Sequence, residues 1–258
     1  MADSMGMFET LRATPPEPVR RAAMLNRWSD VSFLHWRVDP VVVRPLVDPA
    51  LEIDTFGGSA WIGLVPFHIA MRPPFVPAVP VATTFPETNV RTYVRDASGS
   101  RGLWFLSLDV PRSAAVVAAR LVLGLPYAWS AMSIERRDGR IAYSSRRRAP
   151  NAGARSDVAV RVGDPIDRPD ELALFLTARF RMFGLGPMGL FRLQVEHPPW
   201  PLHRAEVLSV RDELVPAAGL PTQDDAPLVH ASPGVDVRVA FPSGLRRNAA
   251  TAQAGGAR

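Results

Sequence analysis

Short apolar runs punctuated by Gly, Pro and Asp follow one another along this chain, a pattern that favours strands over helices. Residues 85–94, Phe-Pro-Glu-Thr-Asn-Val-Arg-Thr-Tyr-Val, carry the clearest two-residue period. As a strand they present Glu87, Asn89, Arg91 and Tyr93 on one face, and Thr88, Val90, Thr92 and Val94 on the other. Residues 59–69 and 102–110 are apolar on both faces, which predicts neighbouring strands in a sheet covered on both sides. A covered polar row has to find partners or bind something. From pattern alone the row reads as a half-exposed strand face meeting water; in a covered sheet Glu87 and Arg91 form either a structural ion pair or part of a site for a polar small molecule.

The remaining pattern predicts a short helix over 17–28 ending near Asn26, a strand over 29–38 and a helix from Pro40 to Val47. A hairpin over 51–56 and 59–69 turns on Gly57-Gly58, and a second over 127–136 and 140–147 turns on Asp138-Gly139. Residues 72–80 form an extended, proline-rich connector, and a helix over 113–123 starts at Ser113 and stops at Gly124. After a short strand over 158–162, residues 167–171 open a helix marked by Leu172, Phe175, Leu176, Arg179 and Phe183 and ended by Gly184. Strands follow over 190–196, 205–210, 228–232 and 236–240. Many strands with two or three inserted helices, without strand–helix alternation, predict a mostly β (α+β) fold. We expect a flexible arm over 1–16, a single domain over 17–242 and a disordered tail over 243–258.

With 258 residues, 47% of them hydrophobic, the chain can bury a full core. It has no Cys, which excludes disulfides, thiolate metal sites and Cys nucleophiles. The first residues carry acids and no apolar core, so a cytoplasmic location is expected. Residues 114–132 hold a single charge, but Gly124 and Pro126 would break a spanning helix, so no membrane association is expected. The net charge of +5 is carried entirely by Arg, because the 30 basic residues include no Lys. An all-Arg complement inflates the pI for a modest charge and is a weak argument for a nucleic-acid partner.

Other motifs give way to plainer readings. Gly184-Leu-Gly-Pro-Met-Gly189 matches a dinucleotide fingerprint by letter, but it follows a helix and precedes a strand, the reverse of the required order. Glu196, His197, His203 and Glu206 lack metal-ligand spacing and fit a rigid proline corner better, so neither metal nor cofactor is expected. The arginines of 136–148 lack interleaved aromatics and read as a solvated face. No nucleophile elbow or P-loop is present.

Phe33-Leu34-His35-Trp36, the run 61–67, the strand 85–94, the run 105–109, Leu125-Pro126-Tyr127 and His197-Pro-Pro-Trp-Pro-Leu202 together resemble the YqjF-like proteins, an uncharacterised bacterial family. That family is similar in turn to acetoacetate decarboxylase. The resemblance implies a closed, antiparallel β-barrel around a small-molecule cavity, with Glu87 matching the decarboxylase cavity glutamate. It also implies that Tyr127 stands where true decarboxylases place the Schiff-base Lys. With no Lys in the chain, Schiff-base chemistry has no side-chain amine to use. The expected site comprises Glu87 as acid/base, with Arg91, Asn89, Tyr93, Tyr127, His35 and Trp36 as ligand-binding residues. The expected function is binding of, or Lys-independent lyase, hydratase or isomerase chemistry on, a small carboxylate or carbonyl compound. The alternative is a non-catalytic binding or interaction protein on the same barrel, and homo-oligomerisation is left open.

Overall fold

The computed structural model describes residues 9–76, 84–111, 124–187 and 189–245. Thirteen strands form one continuous sheet: β1 (Ala22–Val38), β2 (Glu52–Ile53), β3 (Ala60–Arg72), β4 (Thr84–Arg95), β5 (Arg101–Val110), β6 (Tyr127–Arg137), β7 (Arg140–Ala149), β8 (Arg155–Pro165), β9 (Arg181–Gly186), β10 (Gly189–Glu196), β11 (His203–Asp212), β12 (Leu228–Ala240) and β13 (Ser243–Gly244). Short helices α1 (Pro40–Val43), α2 (Glu171–Thr177) and α3 (Leu214–Ala217) sit between them. The expected mostly-β barrel is the observed architecture.

The sheet closes on itself twice. A nine-strand barrel runs β5-β6-β7-β8-β11-β12-β1-β3-β4 and back to β5. Two strands also split their free edges between partners. β5 pairs in parallel with β9 at Leu103–Trp104 and with β6 at Leu108–Val110, while β12 pairs with β11 at His230–Ala231 and with β10 at Arg238–Val239. These forks make a second ring, β5-β9-β10-β12-β1-β3-β4, which shares a five-strand wall with the first.

Alternation along the shared wall then serves both rings. Leu34, Ile62, Leu64, Val90 and Val94 pack with Ile141, Tyr143, Val158 and Val160 in the main core. The opposite parity, including Val31, Phe33, Val65, Phe67, Glu87, Asn89 and Arg91, lines a cavity together with Met182 of β9 and Leu193 and Val195 of β10.

Several local expectations yield to tertiary pairing. The helix expected over 17–28 is largely strand, because β1 begins at Ala22 and gains ladders with both β12 and β3. Such pairing outweighs the modest helix preference of Ala-Ala-Met-Leu. β1 bends at Asp30, which takes a positive φ, beside Gly234 of β12. A Cβ on Gly234 would fall 1.9 Å from the Trp28 carbonyl oxygen, so only Gly permits this crossing. The two strands expected over 228–232 and 236–240 are accordingly one. Gly57-Gly58 does form the expected turn, but Glu52–Ile53 pairs with β4 and not with β3.

The helix expected to run to Gly184 stops at Thr177, and Arg181–Gly186 is a strand. Its start is as read, with the Asp170 carboxylate accepting the Ala173 N–H at 2.7 Å. Gly184 is needed for close approach, since a Cβ there would lie 2.5 Å from Phe191. Gly184–Gly189 spans a strand-to-strand turn, not a helix-to-strand one. The helix expected over 113–123 lies outside the described residues. Among those described, no helix is long and apolar enough to cross a membrane.

Candidate functional site

β4 delivers Glu87, Asn89 and Arg91 to one wall of a cavity of about 270 Å³. Tyr127 enters from the start of β6, Thr177 and Arg179 from the exit of α2, and His197 and Trp200 from the proline corner after β10. Between these polar groups the walls are apolar, with Trp28, Phe33, Phe67, Phe105, Leu108 and Met182 prominent.

Glu87 and Arg91 both line this cavity, and no ion pair between them occurs among the described residues. Burial, first, and the negative charge of Asp109, second, push the Glu87 carboxyl up to about 8, against a downward pull from the Asn89 side-chain hydrogen bond. Asp109 is itself fully buried. The Arg147 guanidinium grips it through Nη2 at 2.5 Å and Nε at 2.9 Å, and the Ser130 hydroxyl donates to it at 2.6 Å. Arg147 thereby departs from the solvated face expected for 136–148: its alternation on β7 turns it inward to a carboxylate. Burial and then the Glu87 charge raise the Tyr127 phenol above its ordinary value. At neutral pH Glu87 and Tyr127 therefore both hold protons.

The arginine pole differs. Arg91 donates from Nη2 to the Leu176 carbonyl at 3.1 Å, and its guanidinium lies over Phe33 and Tyr93, 5.5 and 5.9 Å from the ring centroids. Its buried Nε has no hydrogen-bond partner, and among the described residues no carboxylate pairs with it. Arg179 donates from Nε to the Phe175 carbonyl at 2.7 Å and from Nη1 to Asp54 at 2.8 Å, while its Nη2 is buried without a partner. Asp54 also faces Arg95 and Arg101 at 3.6 and 3.5 Å. One buried carboxylate thus serves three guanidiniums, and Arg91 adds a fourth positive charge nearby.

Tyr93 and His35 lie behind the cavity wall. Tyr93 donates to the Leu176 carbonyl at 2.7 Å, so His35 Nε2–H donates to the phenol oxygen, also at 2.7 Å. Burial, with the charges of Arg91 and His230, lowers the His35 pKa and keeps the ring neutral. The pair anchors Arg91 by holding the same carbonyl. Trp36 stands apart from the cavity, packed in the main core with its indole N–H on the Asp225 carbonyl at 2.8 Å. Trp36 follows His35 in β1 and so points to the opposite face of the sheet, away from a ligand.

Sequence reading missed Arg179, Thr177, His197 and Trp200 as cavity residues. Arg179 was assigned to a helix face that does not form. The proline corner after β10 carries His197 and Trp200 to the cavity wall. Among the described residues no group of three or more His, Cys, Asp or Glu side chains is placed to hold a metal ion. The His197 Nδ1 donates to the Pro198 carbonyl at 2.7 Å, and its ring packs against Phe180 and Trp200.

The closed barrel defines the class to which this protein belongs by fold, that of the acetoacetate decarboxylase-like proteins. An acetoacetate decarboxylase-like enzyme from Sphingomonas wittichii RW1 superposes with a TM-score of 0.64 at 13% identity, over 91% of this chain and 97% of the other. The enduracididine biosynthesis enzyme MppR, solved in complex with pyruvate, superposes with a TM-score of 0.64 at 14% identity, over 90% and 94%. At such identities the likeness is one of fold. The particular family is settled by sequence: residues 25–236 match DUF2071, a family of uncharacterized conserved proteins, and the chain belongs to it. The uncharacterized protein YqjF of Bacillus subtilis (strain 168) is 36% identical over 220 residues, covering 83% of this chain and 89% of that protein.

Proposed function

We propose that the cavity binds a small carboxylate or carbonyl compound, with Arg91 and Arg179 holding the anionic group and Glu87 exchanging a proton with the ligand. The observation that carries this reading is Arg91, a buried guanidinium with no carboxylate partner. A buried charge is costly unless it is paired, and a bound anion would pair it. Glu87, held near 8, is matched to proton transfer around neutral pH, and the Tyr127 phenol, raised by burial, keeps its proton and offers a hydrogen bond. Chemistry at the site is Lys-independent: proton transfer, hydration or lyase work. A protein of the same fold holds pyruvate, a small carboxylate with a carbonyl group, which agrees with this ligand class. The protonated state of Glu87 at neutral pH also suits a non-catalytic binder, in which it donates a hydrogen bond and nothing more.

A thermal-shift screen of small carboxylic and 2-oxo acids tests the binding reading, and deuterium exchange at the carbon next to the ligand carbonyl, followed by NMR in heavy water, tests the chemistry. Bound acids raise the melting temperature. The wild type then catalyses exchange, and Glu87→Gln loses about a hundredfold or more of that rate. Stabilisation without exchange selects the non-catalytic reading, and no stabilisation by any acid refutes the site.

A further inference from the structure

The cavity is larger and more apolar than a minimal keto acid requires. Resting on the anion-binding reading above, we infer that its natural ligand is an amphipathic monocarboxylate with a bulky apolar, preferentially aromatic, body, and not an acid of pyruvate size.

Two independent magnitudes point this way. The first is volume. An apolar cavity of about 150 Å³ is filled by benzene, so 270 Å³ accommodates roughly eleven non-hydrogen atoms, about twice the size of pyruvate. The second is span. Glu87 and Arg91 are four residues apart on an extended strand, about 13 Å of backbone, and their side chains do not pair. The charge that raises the Glu87 pKa is that of Asp109. A molecule held by its carboxylate at Arg91 and extending toward Glu87 has to bridge what the two side chains leave of that separation.

The lining says what the body is made of. Trp28, Phe33, Phe67, Phe105 and Trp200 all line the cavity. Several of these rings already pack on one another: Trp28 stacks on Trp200 with centroids 6.0 Å apart, and Phe33 meets Trp200 edge-on at 5.1 Å. Such walls favour a further ring in offset or edge-to-face contact. The rings themselves offer no hydrogen bond to a second charge. At that pole the Arg91 Nε and Arg179 Nη2 hydrogens lack partners, and both guanidiniums flank the Tyr93 ring, at 5.9 and 4.8 Å from its centroid. A carboxylate lodged there would bring its negative charge beside both guanidiniums.

Calorimetry on the full chain separates the outcomes, with pyruvate, phenylpyruvate, 3-phenylpropanoate, octanoate and the neutral 3-phenylpropanol as probes. The expected order places the phenyl acids about tenfold to a hundredfold tighter than pyruvate, from burial of the ring. Octanoate should come next, and 3-phenylpropanol should bind at least about tenfold more weakly than its acid for want of the charge-assisted contact. Arg91→Met should abolish the preference of acid over alcohol. The alcohol comparison on wild type carries the same information if that variant does not fold. Pyruvate binding as tightly as the phenyl acids overturns this inference and leaves the small-carboxylate reading standing. Equal binding of acid and alcohol overturns both the arginine pole and the reading built on it, as does failure of every acid to bind.

Discussion

Glu87 offers the sharpest test of the site, because its proton couples to the stability of the whole barrel. Its carboxyl titrates near 8 in the folded chain and near 4.5 when free of the fold. Between those values the folded chain keeps a proton that the unfolded chain has released, so stability falls as pH rises through the window and levels off above about 8. A displacement of that size corresponds to roughly 5 kcal/mol in full. Glu87→Gln keeps the shape and the hydrogen-bonding capacity of the protonated acid but cannot ionise. Wild type and variant should therefore melt close together at pH 5. At pH 9 the variant should be the more stable by up to roughly 5 kcal/mol, or about 10 to 20 °C in melting temperature for a chain of this size. Differential scanning calorimetry across pH 4.5–9 reads this difference, and the infrared band of the protonated carboxyl locates the midpoint directly. A melting difference that stays flat across the range, or a carboxyl band already lost at pH 6, would refute the assignment of a neutral buried acid and with it the proposed proton donor.

Other outcomes follow from the same coordinates. Asp109→Asn removes the second cause of the Glu87 shift, so the infrared midpoint should fall, while loss of the Arg147 partner should cost about 3 to 5 kcal/mol in chemical denaturation. An unchanged midpoint would mean that burial alone holds the proton. Gly234→Ala forces a Cβ against the Trp28 carbonyl at a positive φ and should destabilise the barrel by about 3 kcal/mol or more, read as a drop in the denaturation midpoint. Borohydride reduction in the presence of pyruvate or acetoacetate should leave the protein without a mass adduct at any side chain, because no Lys is available. A side-chain adduct by mass spectrometry would contradict the Lys-independent chemistry.

The polar row on β4 was legible because alternation is a property of the strand itself. Once 85–94 is extended, Glu87, Asn89 and Arg91 must share a face whatever surrounds them. The same local logic placed the turn at Asp138-Gly139 and the helix start at Asp170. It could not foresee that residues 22–28 and 181–186 join the sheet, since much of their strand state comes from ladders with β3, β5 and β12 that lie far off in sequence. Arg147 illustrates the limit. Its neighbours Arg146 and Arg148 are exposed, and only the position of Asp109 across the barrel decides that it is buried and paired.

The sequence by itself determined that the fold is mostly strand, that Schiff-base chemistry has no Lys to use, and which β4 residues share a face. These are consequences of composition and of a period that needs no partner. Tertiary structure alone decided that β5 and β12 fork to make a second ring, that the ring encloses space, and that Arg179, His197 and Trp200 meet Glu87 and Arg91 around it. The reason is physical. Whether a charge is paired or left facing a cavity depends on which distant strands close beside it, and that closure is fixed by long-range pairing and packing that no local pattern encodes.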